Sequence, residues 1–278
     1  MKLATIRNGR GTSTVRIDRD AAIELPFASV DDLLRSEDWR AAASAGGPSR
    51  ATAELVYAPV VTRPAKVLCV GLNYRSHITE TGGRAPDHPT LFAKFARTLT
   101  GAYDEIVVPE AGSARVDWEA ELAFVMGRAL RAAGPEEAAR AIAGFTVAND
   151  VSMRDWQNRT LQWLQGKAWE STTPVGPHLV TPEECGAAAD LRITCEVDGE
   201  LMQDARTSDL VFGPAEVAGY LSTFITLEPG DLILTGTSGG VGAARNPPVF
   251  IRSGQKVRTA IEGVGELVNP FVLSQRGS

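Results

Sequence analysis

Short β-type segments dominate the chain after residue 66 and constrain its fold more than any other feature. They include KVLCVG, TLFAKF, ELAFVMG, GFTVANDV, DLILTG, PVFIRSG and KVRTAIEG, which carry β-branched or aromatic residues between turn residues. VDGELMQDA predicts a hairpin that turns at Asp198-Gly199. The clearest helical patterns are GPEEAARAI and GPAEVAGYLSTF, each with proline near the first turn. The pattern predicts a β-rich α+β body.

The beginning of the chain predicts a small separate unit. KLATIRN and TSTVRID read as strands joined by the turn GRG, and Ser29 caps a helix in SVDDLLRS. The following AAASAGGPSRATAE is small, polar and rich in glycine, as in a linker or loose loop. We therefore expect a small N-terminal α+β domain over residues 1–62 and a larger catalytic domain over residues 63–278.

Charge and cysteine content narrow the class of protein. The net charge of -6 and the pI near 5.3 argue against nucleic acid or an anionic membrane as a partner. The three cysteines have no CxxC spacing, which is typical of a reduced protein. The first residues lack the apolar core of a signal peptide, and no apolar run approaches the roughly 20 residues of a membrane span. These features predict a cytoplasmic protein without a membrane or nucleic-acid partner.

Two glutamates stand at the start of the apolar segment in DWEAELAFVMG. Residues i and i+2 of a strand point to the same face, so Glu119 and Glu121 would project side by side. Both faces become apolar after Glu121, which predicts a strand covered on both sides. The glutamates either lie in solvent at its exposed end or, if buried, need a cation to offset their repulsion. Such a cation would be a hard divalent ion with oxygen ligands.

A third carboxylate follows the next apolar strand. Asp150 ends GFTVAND about 30 residues after the pair, a spacing that suits a returning neighbouring strand. Two glutamates and an aspartate would suit Mg²⁺ or Mn²⁺. Capping of a helix is the alternative role for Asp150.

Further polar side chains adjoin these segments. His77 and Glu80 are three residues apart, so on a helical turn they share a face, and a histidine held by a carboxylate can act as a general base. The alternative is a surface histidine. Cationic and amide side chains near a metal would suit an anionic substrate, and they are Lys94, Arg154, Gln157 and Lys167. The default alternative for each lysine is a surface residue. Thr237, in a glycine-rich loop, could hold a substrate carboxylate or be an ordinary turn residue.

These stretches resemble the fumarylacetoacetate hydrolase family over roughly residues 64 to 272. The resemblance rests on GLNYRSH, DWEAEL, GFTVANDVSMRD, the GK of LQGKAWESTTPVGP, and LEPGDLILTGTSGGVG, in the family's order. It implies a mixed β-sandwich roll, usually dimeric, with Glu119, Glu121 and Asp150 as metal ligands. His77 and Glu80 match the family's water-activating pair, Lys167 its GK lysine, and Thr237 a contact to the substrate carboxylate. Arg154 and Gln157 match its arginine and glutamine after the metal aspartate.

The resemblance implies an acylpyruvase or a fumarylpyruvate hydrolase. Such an enzyme hydrolyses a carbon–carbon bond in a 2,4-dioxo acid, with one Mg²⁺ or Mn²⁺ stabilising the enolate and His77–Glu80 activating water. Oxaloacetate decarboxylation and hydration or isomerisation of 2-oxo-enoic acids remain alternatives, and a non-catalytic β-rich binding protein is an alternative of another class. The chain departs from the family at Phe95, Ala168-Trp169-Glu170 and Ser238, all near the expected pocket.

Overall fold

The computed structural model describes residues 1–9 and 11–274. Within this part of the chain, two sheets and a two-stranded ribbon are joined by short helices. The strands are β1 Lys2–Asn8, β2 Gly11–Asp18, β3 Ala21–Leu25, β4 Ser49–Ala51, β5 Val67–Gly71, β6 Thr90–Lys94, β7 Leu99–Thr100, β8 Ile106–Val108, β9 Val116–Asp117, β10 Ala120–Met126, β11 Ile142–Asn149, β12 Ser152–Met153, β13 Thr173–Val180, β14 Arg192–Val197, β15 Glu200–Arg206, β16 Leu232–Thr237, β17 Lys256–Ile261 and β18 Gly265–Leu273. The α-helices are α1 Val30–Leu34, α2 Trp39–Ala43, α3 Arg75–Glu80, α4 Pro135–Ala141, α5 Arg154–Gln157, α6 Leu164–Lys167 and α7 Pro214–Ser222.

The larger sheet brings together strands that are distant in sequence. Its order is β4-β3-β2-β1-β13-β11-β10-β16-β5-β6, with β7 also paired to β13. Strand β10 lies between β11 and β16 and is antiparallel to both, whereas β16 and β5 are parallel. The first residues of β10 therefore lie beside the last residues of β11, β16 and β5, at one end of these strands.

The second sheet packs over this centre. Its order is β15-β14-β17-β18-β8. Leu122 and Phe124 of β10 belong to a buried apolar cluster with Ile193 of β14, Val257 of β17 and Phe271 of β18. This packing defines a two-layer, β-rich α+β fold, as the sequence predicts.

Strand β10 is covered on both faces, which confirms the expectation from its pattern. Ala123 and Val125, on the face opposite Phe124, pack in a second cluster that includes Leu33 and Leu34 of α1. Every residue of β10 is buried. A strand held from two sides is a rigid support for side chains at its first residues.

The N-terminal strands continue the larger sheet. Lys2 and Leu3 of β1 pair with Val180 and Leu179 of β13, so β1 to β4 extend the sheet that carries β10. The hairpin β1–β2 and the Ser29 cap of α1 agree with the sequence, since Ser29 accepts a hydrogen bond from Asp32 N. A domain boundary at residue 62 stays a prediction.

Two segments differ from the sequence prediction. The expected loose loop contains the edge strand β4, whose residues pair with Ala21–Ile23 of β3. PVFIRSG, expected to be a strand, forms none, because Pro248 begins it and Pro247 precedes it, and prolines lack the N–H that a ladder needs. Its Val249 and Ile251 amides instead donate to Gly242 and Val116 carbonyls.

Across the described ranges, no helix has both the length and the apolar character to cross a bilayer.

Candidate metal centre and active site

Glu119, Glu121 and Asp150 meet because β10 and β11 are antiparallel neighbours. Ala120 is paired with Asn149, and the Asp150 amide donates to the Glu119 carbonyl at 2.9 Å. One carboxylate oxygen of each acidic residue lies within 4.8 Å of the others. All three side chains are buried, so the alternative of a solvated glutamate pair is wrong. Helix α5 is capped at Met153, so Asp150 is not its cap either.

Cationic side chains surround two of these carboxylates. Lys167 Nζ donates to Glu119 Oε2 at 2.6 Å and to Asp150 Oδ2 at 2.8 Å. Lys94 Nζ donates to Asp150 Oδ1 at 2.5 Å, and Arg154 Nη1 lies 2.7 Å from Glu119 Oε1. Glu121 instead accepts a hydrogen bond from the Gly236 amide at 2.7 Å.

The pKa values of the two glutamates move in opposite directions. Burial alone would raise the pKa of Glu119, but the charges of Lys167 and Arg154 outweigh it and lower that pKa to about 2. Burial also raises the pKa of Glu121, and the negative charges of Asp150 and Glu119 raise it further. Glu121 is thus the carboxylate whose charge the protein compensates least.

Asp117, which sequence reasoning missed, completes the charge pattern. This buried aspartate accepts from Arg154 Nε at 2.7 Å and from the Gly242 and Ala243 amides. Four carboxylates therefore face three cations, Lys94, Arg154 and Lys167. Its position two residues before Glu119 in DWEAEL was the available signal, since it extends the same alternation.

The acidic triad can hold a divalent metal. Its donors are carboxylate oxygens, which Mg²⁺ and Mn²⁺ prefer, and their separation lets one ion contact all three. If all four carboxylates are ionised, the cluster carries one excess negative charge. A divalent cation would reverse that sign and favour an anionic substrate.

Two glycines permit the close approaches that build the site. A Cβ at Gly166 would lie 2.5 Å from the Gln157 Cβ, so glycine lets α6 press against α5 and direct Lys167 inward. Gly236 has φ +97°, and its amide points to Glu121. These contacts explain why the GK and TGT stretches contain glycine.

His77 and Glu80 lie together on α3, as their spacing predicts. His77 Nδ1 is 3.3 Å from Glu80 Oε2, which suits an imidazole N–H donating to a carboxylate. Both Glu80 oxygens also accept from the Gly240 amide, at 3.1 and 3.2 Å. This bond fastens α3 to the loop after β16.

A cavity of about 200 Å³ collects most of the expected side chains. Its polar lining includes His77, Glu119, Arg154, Gln157, Lys167 and Thr237. Lys94 is not among the lining residues that the structure describes, because its fully buried ammonium lies against Asp150. A role for Lys94 in contacting substrate stays a prediction, as do the individual roles of the others.

An apolar wall faces this polar lining. Trp163 and Phe92 line the cavity with their rings edge to face at 5.6 Å between centroids. The Trp163 ring covers Gly71 so closely that a Cβ there would lie 2.3 Å from it. Sequence reasoning missed this wall, because Trp163 reaches Gly71 across about 90 residues and no local pattern reports that contact.

Comparisons with known proteins agree with this architecture. Residues 66–272 match the family model described as fumarylacetoacetate (FAA) hydrolase, C-terminal. The chain belongs to the fumarylacetoacetate hydrolase family and is an enzyme of that family.

Among its relatives is the oxaloacetate tautomerase Fahd2a, mitochondrial, of Rattus norvegicus. It is 42% identical over 253 residues, which cover 89% of this chain and 80% of the relative. The structure of fumarylacetoacetate hydrolase from Exiguobacterium antarcticum has a TM-score of 0.87 at 28% identity, covering 99% of this chain and 100% of that one. The fumarylpyruvate hydrolase from Pseudomonas aeruginosa, in complex with Mn²⁺ and pyruvate, has a TM-score of 0.69 at 32% identity, covering 76% and 91%.

The expectation of a cytoplasmic location is contradicted by these relatives. The rat relative is named as a mitochondrial protein. Free cysteines indicate reducing rather than oxidising surroundings, and they carry no information about which reducing compartment holds a protein. The sequence features used for this prediction could not make that distinction.

Proposed function

We propose that this chain interconverts the enol and keto forms of oxaloacetate or a close 2-oxo diacid, with the help of a divalent cation. The observation that carries the proposal is the buried carboxylate triad beside a cavity lined by Glu119 and by His77, which is paired with Glu80. The name of the rat relative supports oxaloacetate as the substrate. The proposal replaces hydrolysis of an acylpyruvate as the first choice.

Glu119, Glu121 and Asp150 would hold the cation. A bound Mg²⁺ or Mn²⁺ supplies Lewis-acid chemistry that stabilises negative charge on the oxygens of a 2-oxo acid. Lys167 holds Glu119 and Asp150 in place through two hydrogen bonds, and Lys94 holds Asp150 from behind. The protein thus fixes the ligands before a substrate arrives.

His77 is the group placed to move the proton. In ketonisation, the C2 hydroxyl loses a proton to solvent while C3 gains one. Glu80 engages Nδ1 of His77, so Nε2 is the nitrogen that can deliver a proton to C3 and accept it in the reverse direction. The Gly240 amide holds Glu80, which in turn fixes the orientation of the imidazole.

The polar lining suits a second carboxylate on the substrate. Nη2 of Arg154 is buried and has no hydrogen-bond partner in residues 1–9 and 11–274, which leaves donor capacity beside the cavity. Cavities for drug-sized ligands measure roughly 300–1,000 Å³. The smaller cavity here favours a short diacid over a long acyl chain.

Hydrolysis of a short acylpyruvate is the second candidate function. The same His77–Glu80 pair could deprotonate a water molecule, and the Pseudomonas aeruginosa neighbour is a fumarylpyruvate hydrolase. This reaction breaks a carbon–carbon bond and releases pyruvate, whereas tautomerisation leaves the carbon skeleton intact.

Enol loss and pyruvate release, measured with the same metal-loaded protein, distinguish the two reactions. We expect rapid loss of the ultraviolet absorbance of enol oxaloacetate and little pyruvate from acetylpyruvate. His77→Asn should lower kcat for tautomerisation by about 10²- to 10⁴-fold while Mn²⁺ still binds. Faster acetylpyruvate cleavage than oxaloacetate tautomerisation would contradict the proposal and favour hydrolysis.

We also propose that two copies form a homodimer. Val107 and Val272 are paired neighbours on β8 and β18, both are more than a third exposed, and β8 is the edge of its sheet. Apolar residues at an exposed strand edge support association. Light scattering during size-exclusion chromatography should give twice the chain mass of 29.6 kDa. A monomer at micromolar concentration would contradict this proposal.

A further inference from the structure

Gln203 is a buried amide that connects the second sheet to the metal strand. In β15 it is the one fully buried residue, and its neighbours along the strand are partly or fully exposed. Its Oε1 accepts a hydrogen bond from the Ala120 amide at 2.9 Å. Its Nε2 donates to Thr237 Oγ1 at 2.8 Å and to the Ser238 carbonyl at 3.0 Å.

These bonds close a ring around Ala120. The Thr237 hydroxyl donates its proton to the Ala120 carbonyl at 3.0 Å while it accepts from Gln203. Both backbone polar groups of Ala120 are therefore satisfied by side chains. Because Ala120 separates Glu119 from Glu121, the ring controls the peptide groups that set the direction of both carboxylates.

A bulge in the hairpin aims Gln203 at this position. Cys195 of β14 pairs with Gln203, but the next residue, Glu196, pairs with Leu201, so Met202 is the extra residue. The Met202 carbonyl accepts from Arg245 Nη2 at 2.9 Å. Bulges often redirect a side chain next to a functional site, and this one directs an amide at the acidic pair.

The ring also gives Ser238 a structural role. The Gln203 amide lies 3.3 Å from Ser238 Oγ, in addition to its bond with the Ser238 carbonyl. Gln203 therefore joins the loop after β16 to the start of β10. No ring member is a proposed metal ligand, so any effect on metal binding must act through position.

We propose that Gln203 is a positioning residue for the metal centre, which holds Glu119 and Glu121 in register through the ring with Ala120 and Thr237. The inference rests on the metal centre of the proposed function and is independent of the reaction that the metal serves. Residues that orient metal ligands commonly change metal affinity by about 10- to 100-fold when they are replaced.

Calorimetric titration of the EDTA-stripped chain with Mn²⁺, without substrate, tests this inference. We expect Gln203→Met to weaken Mn²⁺ binding at least tenfold, because methionine fills the volume and forms none of the bonds. Thr237→Val opens the ring from the other side and should weaken binding similarly, and it carries the test if Gln203→Met does not fold. The double variant should lose less affinity than the two single losses combined, because they break the same ring.

Asn269→Leu is the matched control. Asn269 is an equally buried amide on β18 that donates to the Gly101 and Asp104 carbonyls, away from the metal strand. It should lower thermal stability and leave the Mn²⁺ affinity unchanged.

Wild-type Mn²⁺ affinity in a folded Gln203→Met or Thr237→Val protein would overturn the inference, as would an equal loss in Asn269→Leu. A chain whose Mn²⁺ affinity depends on Gln203 but which does not act on oxaloacetate would refute the proposed function and leave this inference intact.

Discussion

At the scale of single residues, the two glutamates of DWEAEL have opposite surroundings. Glu119 lies between the charges of Lys167 and Arg154, whereas Glu121 faces Asp150 and Glu119 and accepts from one backbone amide. Glu119 thus stabilises the metal-free fold, whereas Glu121 is repelled by neighbouring negative charges within it. Their adjacency in sequence hides this difference, because the partners come from residues 150, 154 and 167.

Neutral variants of the two glutamates should separate stability from metal binding. In EDTA-stripped protein, Glu119→Gln should lower the free energy of unfolding by about 3 kcal/mol, since it removes one of the two carboxylate partners of each of the buried cations Lys167 and Arg154. Glu121→Gln should raise the stability by about 1 kcal/mol, because it removes a repelled charge and keeps an acceptor for the Gly236 amide. Both should lose Mn²⁺ binding. Urea unfolding measures the stabilities, and equal losses in the two variants would contradict this description.

At the scale of elements, prediction succeeded where the determining contacts are local. The covered strand β10, the histidine–glutamate turn in α3 and the hairpin at Asp198-Gly199 all follow from periodicity or turn chemistry. The strand predicted for PVFIRSG does not form, because its composition suggests a strand while Pro248 and the preceding Pro247 cannot donate to a ladder. Gln203 was missed because its function depends on a bulge and on a different sheet.

The cavity wall formed by Trp163 should limit the length of substrate. Removing this ring in Trp163→Ala would open space beside Gly71 and Phe92. We divide kcat/KM for a 2-oxo diacid one or two carbons longer by kcat/KM for oxaloacetate. In Trp163→Ala this ratio should be about tenfold higher than in the wild type, or more.

Trp39→Ala serves as the control for the loss of an indole. Trp39 begins α2, packs in the cluster with Ala123 and Val125 of β10, and does not line the cavity. The ratio of the two kcat/KM values does not depend on how much protein is folded, so this variant should keep the wild-type ratio. An unchanged ratio in Trp163→Ala would show that the wall does not select substrate length.

At the scale of the whole molecule, the N-terminal strands and the body share one sheet. His178 of β13 lies at this junction, with Nε2 at 3.4 Å from the Tyr57 hydroxyl. Burial, together with the charge of Lys2, lowers the pKa of His178 to about 4. Lys2 of β1 thus contributes to the pKa shift of a histidine on β13.

This shift predicts a loss of stability in mild acid. The unfolded chain binds a proton at His178 near pH 6.5 and the folded chain only near pH 4, so stability falls as the pH drops through that interval. Between pH 7 and pH 5 the loss from this group should be about 2 kcal/mol. His178→Gln should not show this loss, so the free energy of unfolding of the variant, measured in urea, should depend less steeply on pH. Equal pH dependence in both proteins would contradict a partly buried, neutral His178.

The proposed enol–keto exchange of a 2-oxo diacid requires one divalent cation on Glu119, Glu121 and Asp150. Titration of the EDTA-stripped chain with Mn²⁺, while the loss of enol oxaloacetate is followed, tests it most directly. The rate should start at the uncatalysed value, rise with added Mn²⁺ and reach its plateau at one equivalent per chain. A stripped chain that is already fully active, or a loaded chain no faster than Mn²⁺ alone, would contradict the account.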